Sequence, residues 1–211
     1  MRRGRFITFE GGEGCGKSTQ VARLKEALEQ AGQDVVLTRE PGGTWLGEKV
    51  RFLLKDQDEE EPCDRAELLP FLAARAQLVR RVIRPALERG AWVISDRFSD
   101  STLAYQGYGR GLDLATLRLA NDFACEGLAP DRTFLLDIDR ATAAQRLDKR
   151  QTELGAAADR IERAGDDFHE RLRRGYAALA AAAPERIVRI DATRSREGVW
   201  EQIWNSIKPM L

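Results

Sequence analysis

The stretch that decides the fold of this chain is Phe9-Glu10-Gly11-Gly12-Glu13-Gly14-Cys15-Gly16-Lys17-Ser18-Thr19. It matches the pattern G-x-x-x-x-G-K-[ST], whose glycines let backbone N–H groups close around a phosphate. In this pattern Lys17 holds the β- and γ-phosphates of a nucleotide, and the Ser18 hydroxyl ligates Mg²⁺. The stretch therefore predicts a nucleotide site, and the other residues of its loop are Gly11, Gly12, Glu13, Gly14, Cys15, Gly16 and Thr19.

The segments on either side of the loop predict a strand and a helix. Residues 5–9 are mostly apolar, β-branched or aromatic, as in a buried strand. After the loop, Val21, Leu24 and Leu28 recur at helical spacing up to Gly32, a residue that favours the end of a helix. The N-terminus of such a helix adds positive potential at the phosphate. The alternative is a glycine-rich turn with a chance lysine, and the flanking strand and helix argue against it.

The rest of the chain alternates between strand-like and helix-like segments. Short apolar runs predict four more strands at residues 34–38, 91–95, 133–137 and 187–190. Helical spacing predicts helices at about residues 45–54, 64–88, 112–126, 140–152, 166–183 and 199–207. This alternation is typical of an α/β protein with a mostly parallel, five-stranded sheet and helices on both faces.

Prolines and glycines predict two interruptions. Pro70 and Pro85 are expected to kink or break the helical segment over 64–88. The polar stretch over 99–111 contains Gly107, Gly109 and Gly111, which are expected to mark a loop near its end.

Composition argues against several classes of protein. The 211 residues are 43% hydrophobic, and 34 Lys and Arg balance 34 Asp and Glu, so no basic excess favours nucleic acid or an anionic membrane. Cys15, Cys63 and Cys125 form no C-x-x-C pair, which argues against a disulfide framework or a zinc site. Residues 1–3 leave no room for a signal peptide, and no run is apolar enough to span a bilayer. The expected compartment is therefore the cytoplasm.

Polar loops follow the first three predicted strands. In parallel sheets, ligands bind beyond the carboxyl ends of the strands, so these loops are expected to meet at one crevice. The phosphate loop follows the first strand, residues 39–41 the second, and Asp96 and Arg97 the third. Asp96 is expected to hold a metal ion or its water shell, and Arg97 to clamp a second phosphate. A surface ion pair is the alternative for both.

Two further patterns suggest nucleotide contacts. Phe71 and Arg75 lie four residues apart, so they share a helix face on which a base could stack and hydrogen-bond. The alternative is a core phenylalanine beside a solvated arginine. Arg146, Lys149 and Arg150 lie on one helix that could form a cationic flap over ATP, although such a helix is commonly a solvated face.

Six segments of the chain, taken in order, resemble bacterial thymidylate kinases along nearly the whole length. The segments T-R-E-P-G-G-T and Y-Q-G-Y-G-R-G are the most specific. The six are residues 9–18, 38–44, 73–75, 96–98, 105–111 and 159–162.

The resemblance implies a P-loop kinase fold in a single domain, residues 1–211, with a small helical lid at about residues 146–162. It also implies the reaction ATP + dTMP ⇌ ADP + dTDP with Mg²⁺, in a homodimer that serves dTTP synthesis for DNA.

The acceptor dTMP is implied to contact Glu13, Arg39, Pro41, Arg51, Phe71, Arg75, Arg97, Ser101, Thr102, Tyr105 and Gln106. By this resemblance, Phe71 stacks on thymine and Arg75 bonds its carbonyl edge. Ser101 and Thr102 line the base pocket. Tyr105 crowds the sugar 2′ position and so selects deoxyribose.

The remaining implied contacts concern sugar and phosphate. Glu13 lies near the dTMP sugar, with Gln106 close to Tyr105. Arg97 holds the acceptor phosphate together with Arg39 and Arg51.

The donor side is implied to consist of the phosphate loop and Arg146, with the metal at Ser18 and Asp96. The catalytic residues are implied to be Lys17, Asp96, Arg97 and Arg150. A glutamate at position 13 and an arginine-rich flap are typical of the variant in which the flap supplies the catalytic cation. Arg150 is expected to act like an arginine finger, while Arg146 and Lys149 stay open as alternatives.

Three other classes fit the sequence less well. A kinase for another nucleoside monophosphate would share the architecture but not the specific loops. A GTP-dependent switch would carry N-K-x-D or T-K-x-D, which this sequence does not contain. A nucleotide-driven motor would have a pair of acids at the end of a strand, where this chain has Asp96 followed by Arg97. Tolerance for dUMP stays open.

Overall fold

A five-stranded parallel sheet forms the centre of the molecule in the computed structural model, which describes residues 4–55, 62–154 and 165–211. Its strands are β1 (Phe6–Glu10), β2 (Val35–Arg39), β3 (Trp92–Asp96), β4 (Arg132–Asp137) and β5 (Ile187–Asp191). Their order across the sheet is β2-β3-β1-β4-β5. The predicted α/β class is confirmed, and each strand boundary lies within one residue of the prediction.

Helices cover both faces of this sheet. They are α1 (Lys17–Gln30), α2 (Trp45–Lys55), α3 (Asp64–Leu78), α4 (Arg84–Glu88), α5 (Ser99–Thr102), α6 (Leu114–Cys125), α7 (Arg140–Leu154), α8 (Asp166–Ala182) and α9 (Arg196–Ile207). Two π-helical segments, Val79–Ile83 and Leu103–Gly109, and a 3₁₀ turn, Lys208–Met210, complete the regular structure. Within the described ranges, no helix is long and apolar enough to cross a bilayer.

The strand β1 shows how the sheet is buried on both faces. Ile7 and Phe9 belong to a core cluster that includes Leu24 of α1 and Ile203 of α9. Phe6 belongs to a different cluster, with residues of α3 and α4. Successive side chains of a strand point to opposite faces, so β1 has to be apolar along most of its length.

The helix predicted over 64–88 is broken near Pro85 and is not broken at Pro70. Pro70 lies inside α3, where the burial of Leu68, Ala74 and Leu78 on the same helix outweighs one missing backbone hydrogen bond. Before Pro85 the chain changes to the π-helical segment Val79–Ile83 and then continues as α4.

The loop predicted from the glycines of residues 99–111 is wrong for Gly107 and Gly109. Both lie in the π-helical segment Leu103–Gly109, where they give room to neighbouring side chains. A Cβ at Gly109 would lie 2.6 Å from the Phe168 ring. Of the three glycines only Gly111 has a left-handed backbone, with φ of 85°. Gly107 and Gly109 therefore serve close packing, while Gly111 serves the turn.

Candidate active site

A cleft of about 510 Å³ opens where β1, β2 and β3 end. The structure brings the three polar loops together there. Most of the residues predicted from the sequence line it: Glu13, Gly14, Gly16, Lys17, Ser18, Thr19, Arg39, Pro41, Arg51, Phe71, Arg75, Asp96, Arg97, Ser101, Thr102, Tyr105, Gln106 and Arg146.

The phosphate loop owes its shape to glycines in left-handed conformations. Gly11, Gly14 and Gly16 have φ of 137°, 74° and 92°, values that favour glycine. The loop ends where α1 begins, so the N-terminus of this helix faces the cleft. The Lys17 ammonium lies 3.0 Å from the Gly11 carbonyl oxygen and 2.9 Å from that of Gly12. Lys17 is thereby held at the mouth of the loop.

Three predicted loop residues support the loop and do not line the cleft. Gly11 and Gly12 contribute the carbonyl oxygens that accept hydrogen bonds from Lys17. Cys15 is buried, and its Sγ lies 3.5 Å from the Lys17 Nζ. Cys15 is therefore a small interior residue of the loop.

Arg97 lies at the centre of the cleft in a left-handed backbone conformation, with φ of 73°. Its Nη1 donates to the Gly11 carbonyl at 3.0 Å, and its Nη2 is paired with the Glu13 carboxylate. The guanidinium carbon lies 5.0 Å from the centre of the Tyr105 ring. Among the described residues, no acceptor contacts Nε–H or the second N–H of Nη2. Two adjacent N–H groups of this kind match the oxygens of a phosphate.

A buried acid, Glu10, lies directly behind Arg97. Its carboxylate accepts hydrogen bonds from the Phe98 N–H at 2.9 Å, the Ser101 hydroxyl at 2.6 Å and the Tyr176 hydroxyl at 2.8 Å. Burial raises the pKa of the Glu10 carboxyl from its ordinary 4.5 to about 7, and the Asp100 charge adds to this rise.

Arg75 is 1% exposed, so the alternative of a solvated arginine is wrong. Its Nε and Nη2 donate to the Glu40 carboxylate, with the shortest contact at 2.6 Å, and Nη2 also donates to the Phe98 carbonyl. Its Nη1 donates to Thr102 and Asn121. All five N–H groups of the guanidinium therefore have protein acceptors.

The other side of the expected base pocket contains Tyr105 and Gln106. Both are buried and line the cleft, as does the half-buried Phe71. The Gln106 side-chain amide donates to Glu67 at 2.9 Å, and Glu67 is also bound by Arg110. Because a carboxylate only accepts hydrogen bonds, the contact with Glu67 fixes the orientation of the Gln106 amide group.

The rim of the cleft carries two further cations that were predicted from the sequence. Arg39 forms an exposed ion pair with Glu48, with N and O 3.1 Å apart. Arg51 donates to the Pro41 carbonyl at 3.2 Å. The peptide bond between Glu40 and Pro41 is cis.

Ser18 and Asp96 are suitable ligands for Mg²⁺. Both line the cleft, one at the start of α1 and the other at the end of β3. Mg²⁺ prefers oxygen ligands and usually takes one or two carboxylates together with phosphate oxygens and water. A hydroxyl and a carboxylate that open onto a shared cleft fit this preference.

The helix α7 lies against the phosphate loop. A Cβ at Gly14 would lie 2.7 Å from the Ala143 carbonyl oxygen, and both Arg146 and Leu147 line the cleft. Lys149 is exposed. The side chain of Arg150 and the segment over 155–164, which includes residues 159–162, lie outside the described residues.

Sequence reasoning missed several residues that hold the site together. Glu10 and Glu40 fall inside the quoted motifs, and an acid at the end of an apolar strand was the available signal for Glu10. Asn121 and Tyr176 lie in ordinary helical segments, and their contacts with Arg75 and Glu10 span 46 and 166 positions. No local pattern indicates contacts over such distances.

This fold and the polar cleft beside its phosphate loop are those of a phosphate-loop phosphotransferase. A family model described as thymidylate kinase matches residues 9–203. The chain belongs to the thymidylate kinase family.

Individual relatives agree with this assignment. The chain is 50% identical to a thymidylate kinase of Solidesulfovibrio magneticus over 98% of this chain and 100% of that protein. It is 49% identical to a thymidylate kinase of Deinococcus radiodurans over 98% of both chains. The crystal structure of thymidylate kinase from Ehrlichia chaffeensis matches with a TM-score of 0.76 at 35% identity, over 97% of this chain and 99% of that one.

Proposed function

We propose that this chain transfers the γ-phosphoryl group of ATP to the 5′-phosphate of dTMP, giving ADP and dTDP for dTTP synthesis. A phosphate oxygen of dTMP forms the new bond to phosphorus, and the bond from phosphorus to the leaving oxygen of ADP breaks. The observation that carries this proposal is the shared cleft, which holds Lys17 and Arg97 beside an aromatic pocket, in a chain of this family.

The donor side would hold ATP through the loop over residues 11–19 and through Arg146. Backbone N–H groups of the loop and the N-terminus of α1 would bind the phosphate oxygens, and the Lys17 ammonium would add positive charge. Ser18 and Asp96 would hold Mg²⁺, which when bound neutralises charge on the phosphate oxygens. Leu147 and Arg146, on α7, would keep water from the reacting groups.

The acceptor side would hold dTMP with three groups of residues. Arg97, supported by Arg39 and Arg51 at the rim, would bind the 5′-phosphate. Phe71 would stack on thymine. The remaining contacts would come from Glu13, Pro41, Arg75, Ser101, Thr102, Tyr105 and Gln106.

The thymine carbonyl edge would meet Arg75 and Thr102 together. Because the N–H groups of Arg75 already have acceptors, the available donor is the Thr102 hydroxyl, which accepts from Arg75 at 2.8 Å. Tyr105 would crowd the sugar 2′ position, since its ring lies beside Arg97 and its hydroxyl has no partner among the described residues. Gln106 would lie next to it.

Catalysis would rest on alignment and charge, because phosphoryl transfer requires little covalent chemistry from the protein. Lys17 would act on the donor phosphates, Arg97 on the acceptor phosphate, and Asp96 on the metal. Arg150 would supply the cation of a lid at about residues 146–162, within a single domain over 1–211.

The proposed assembly is a homodimer in the cytoplasm. Helices α2, α3 and α6 pack side by side and carry strongly exposed apolar side chains. We name these the apolar patch: Trp45, Phe52, Leu53, Leu69, Leu119 and Phe123. A patch of this kind favours association with a second copy of the chain.

A coupled ADP-release assay tests the proposed reaction. It uses ATP and Mg²⁺ with dTMP, dUMP, UMP, CMP, AMP or GMP as the acceptor. Turnover is expected with dTMP, and it should fall by about 10²-fold or more in Lys17→Met, because this substitution removes the cation from the donor phosphates. Lys25→Met is the matched control, since Lys25 lies on the same helix in an exposed pair with Glu29. Preference for another monophosphate would contradict the assignment of the base pocket.

A further inference from the structure

The Glu10 carboxylate binds the backbone immediately after Arg97. Its Oε1 accepts the Phe98 N–H at 2.9 Å, immediately after the left-handed turn at Arg97. The Ser95 hydroxyl donates to the Arg97 carbonyl at 2.7 Å, and the Arg97 N–H donates to the Phe9 carbonyl. Hydrogen bonds therefore hold the turn at the residues before, at and after Arg97.

The other oxygen of Glu10 orders two hydroxyl groups. The Ser101 and Tyr176 hydroxyls each have one proton, and each lies within donating distance of Oε2, at 2.6 and 2.8 Å. Above its pKa of about 7, the Glu10 carboxylate has no proton to give, so it draws both hydroxyl protons towards itself. The lone pairs of both hydroxyl oxygens are then available to other donors.

The donor that meets those lone pairs is Arg97. Its Nη1 lies 3.4 Å from the Ser101 oxygen and 3.4 Å from the Tyr176 oxygen. These contacts are long, so each is weak, but both attract the guanidinium to one position. With Nη1 held in this way and Nη2 paired with Glu13, the remaining N–H groups of Arg97 have a fixed direction.

We propose that Glu10 is a positioning residue, which aims the Arg97 guanidinium at the acceptor phosphate through the hydroxyls of Ser101 and Tyr176 and through the Phe98 N–H. This proposal rests on the proposed function, in which Arg97 binds the 5′-phosphate of dTMP. It assigns a role to Tyr176, a residue of α8 that is 4% exposed and does not line the cleft.

A neighbouring acid, Asp100, provides a control for the general effect of removing a buried charge. Asp100 is also buried, and its carboxylate accepts from Arg186 at 2.7 and 2.9 Å and from Thr133 at 3.4 Å. Those partners differ from the groups that contact Arg97. Asp100→Asn is therefore a matched control for Glu10→Gln, because both substitutions remove one buried charge with little change in shape.

The test measures the affinity for dTMP and for thymidine, which lacks the phosphate, by titration calorimetry at pH 8, where Glu10 is ionised. In Glu10→Gln the amide N–H group donates to Ser101 or Tyr176, so their protons turn towards Arg97. The Kd for dTMP should rise about tenfold or more, while the Kd for thymidine stays within a factor of two. Asp100→Asn should leave the ratio of the two affinities unchanged.

Tyr176→Phe gives an independent test, because it removes one hydroxyl and keeps the ring. The preference for dTMP over thymidine should fall severalfold, and Glu10→Gln should have a smaller effect in this background than alone. If Glu10→Gln does not fold, this variant decides the question. An unchanged preference in Tyr176→Phe would overturn the proposal.

Two other outcomes would also overturn the positioning role. In the first, Glu10→Gln weakens dTMP and thymidine equally, or Asp100→Asn lowers the preference as much as Glu10→Gln does. In the second, the wild-type protein binds thymidine as tightly as dTMP, in which case the assignment of Arg97 to the phosphate fails as well. Only the second outcome bears on the proposed function.

Discussion

At the scale of single residues, the ion pair between Glu40 and Arg75 is the most deeply buried one described. Both side chains are at most 5% exposed, and the closest N and O are 2.6 Å apart. Glu40→Gln would leave the Arg75 charge in the interior without its counterion. The free energy of unfolding should fall by about 3–5 kcal/mol, measured by urea denaturation at one fixed protein concentration.

An exposed pair provides the control for this prediction. Glu48 pairs with Arg39 at 3.1 Å, but both side chains are about half exposed. Glu48→Gln should cost less than about 1 kcal/mol, because solvent screens the pair. Equal losses in the two variants would show that the charge of Glu40 is not what stabilises the pocket.

The sequence predicted the residues whose role follows from their position in a short motif. The phosphate loop, Asp96 and Arg97 form contiguous motifs, so the chemistry of each follows from spacing along the chain. The saturation of Arg75 by Glu40, Thr102 and Asn121 could not be predicted in this way. It requires the helix that carries Arg75 to meet three other segments, and the polar groups of each segment give no sign of their partner.

At the scale of elements, α8 and the π-helical segment Leu103–Gly109 are interlocked by two glycines. Gly109 lies against the ring of Phe168, and Gly175 of α8 lies against Tyr108. An added Cβ would come within 2.6 Å of a side-chain atom at either position. Gly109→Ala and Gly175→Ala should each lower the free energy of unfolding by about 1–3 kcal/mol, measured by urea denaturation.

Gly198, in the first turn of α9, is the control for these substitutions. A Cβ there would be at least 3.4 Å from its neighbours, and alanine favours a helix more than glycine does. Gly198→Ala should raise stability by up to about 1 kcal/mol. A loss in Gly198→Ala as large as that in Gly109→Ala would contradict the packing explanation.

The secondary structure was predicted well where periodicity decides it and less well where glycine or proline was the signal. Apolar runs located all five strands, since a strand buried on both faces has to be apolar. Pro70 did not end α3, and Gly107 and Gly109 did not form a loop. In both cases packing against the rest of the molecule outweighed the local preference of the residue.

At the scale of the whole molecule, Glu10 links stability to pH. It is faced by Asp100 of α5, Arg97 after β3 and Tyr176 of α8, and the charges of Arg75 and Arg186 also act on it. Its pKa is about 7 when folded and near 4.5 when unfolded, so the folded protein binds more protons between these values. The contribution of Glu10 to stability is therefore full below pH 4.5 and is lost as the pH rises through 7.

Comparison of the wild type with Glu10→Gln isolates this linkage. From pH 5 to pH 8 the wild type should lose up to about 3 kcal/mol of unfolding free energy relative to the variant, measured by urea denaturation at each pH. Titrating groups that do not interact with Glu10 cancel in the difference. Parallel pH profiles for the two proteins would show that the folded pKa of Glu10 is not raised.

Assembly is the last property that belongs to the whole molecule, and the proposed homodimer would form through the apolar patch. Phe123 is 88% exposed and Phe52 is 71% exposed, values that are unusual for phenylalanine unless a partner covers it. Sedimentation velocity should give the wild type about twice the 23.7 kDa of the chain. Phe123→Glu would place a charge inside the interface, so this variant should sediment as a monomer with its secondary structure intact. Leu211→Glu, outside the patch, should remain a dimer. A monomeric wild type, or a dimeric Phe123→Glu, would assign the patch to another partner or to none.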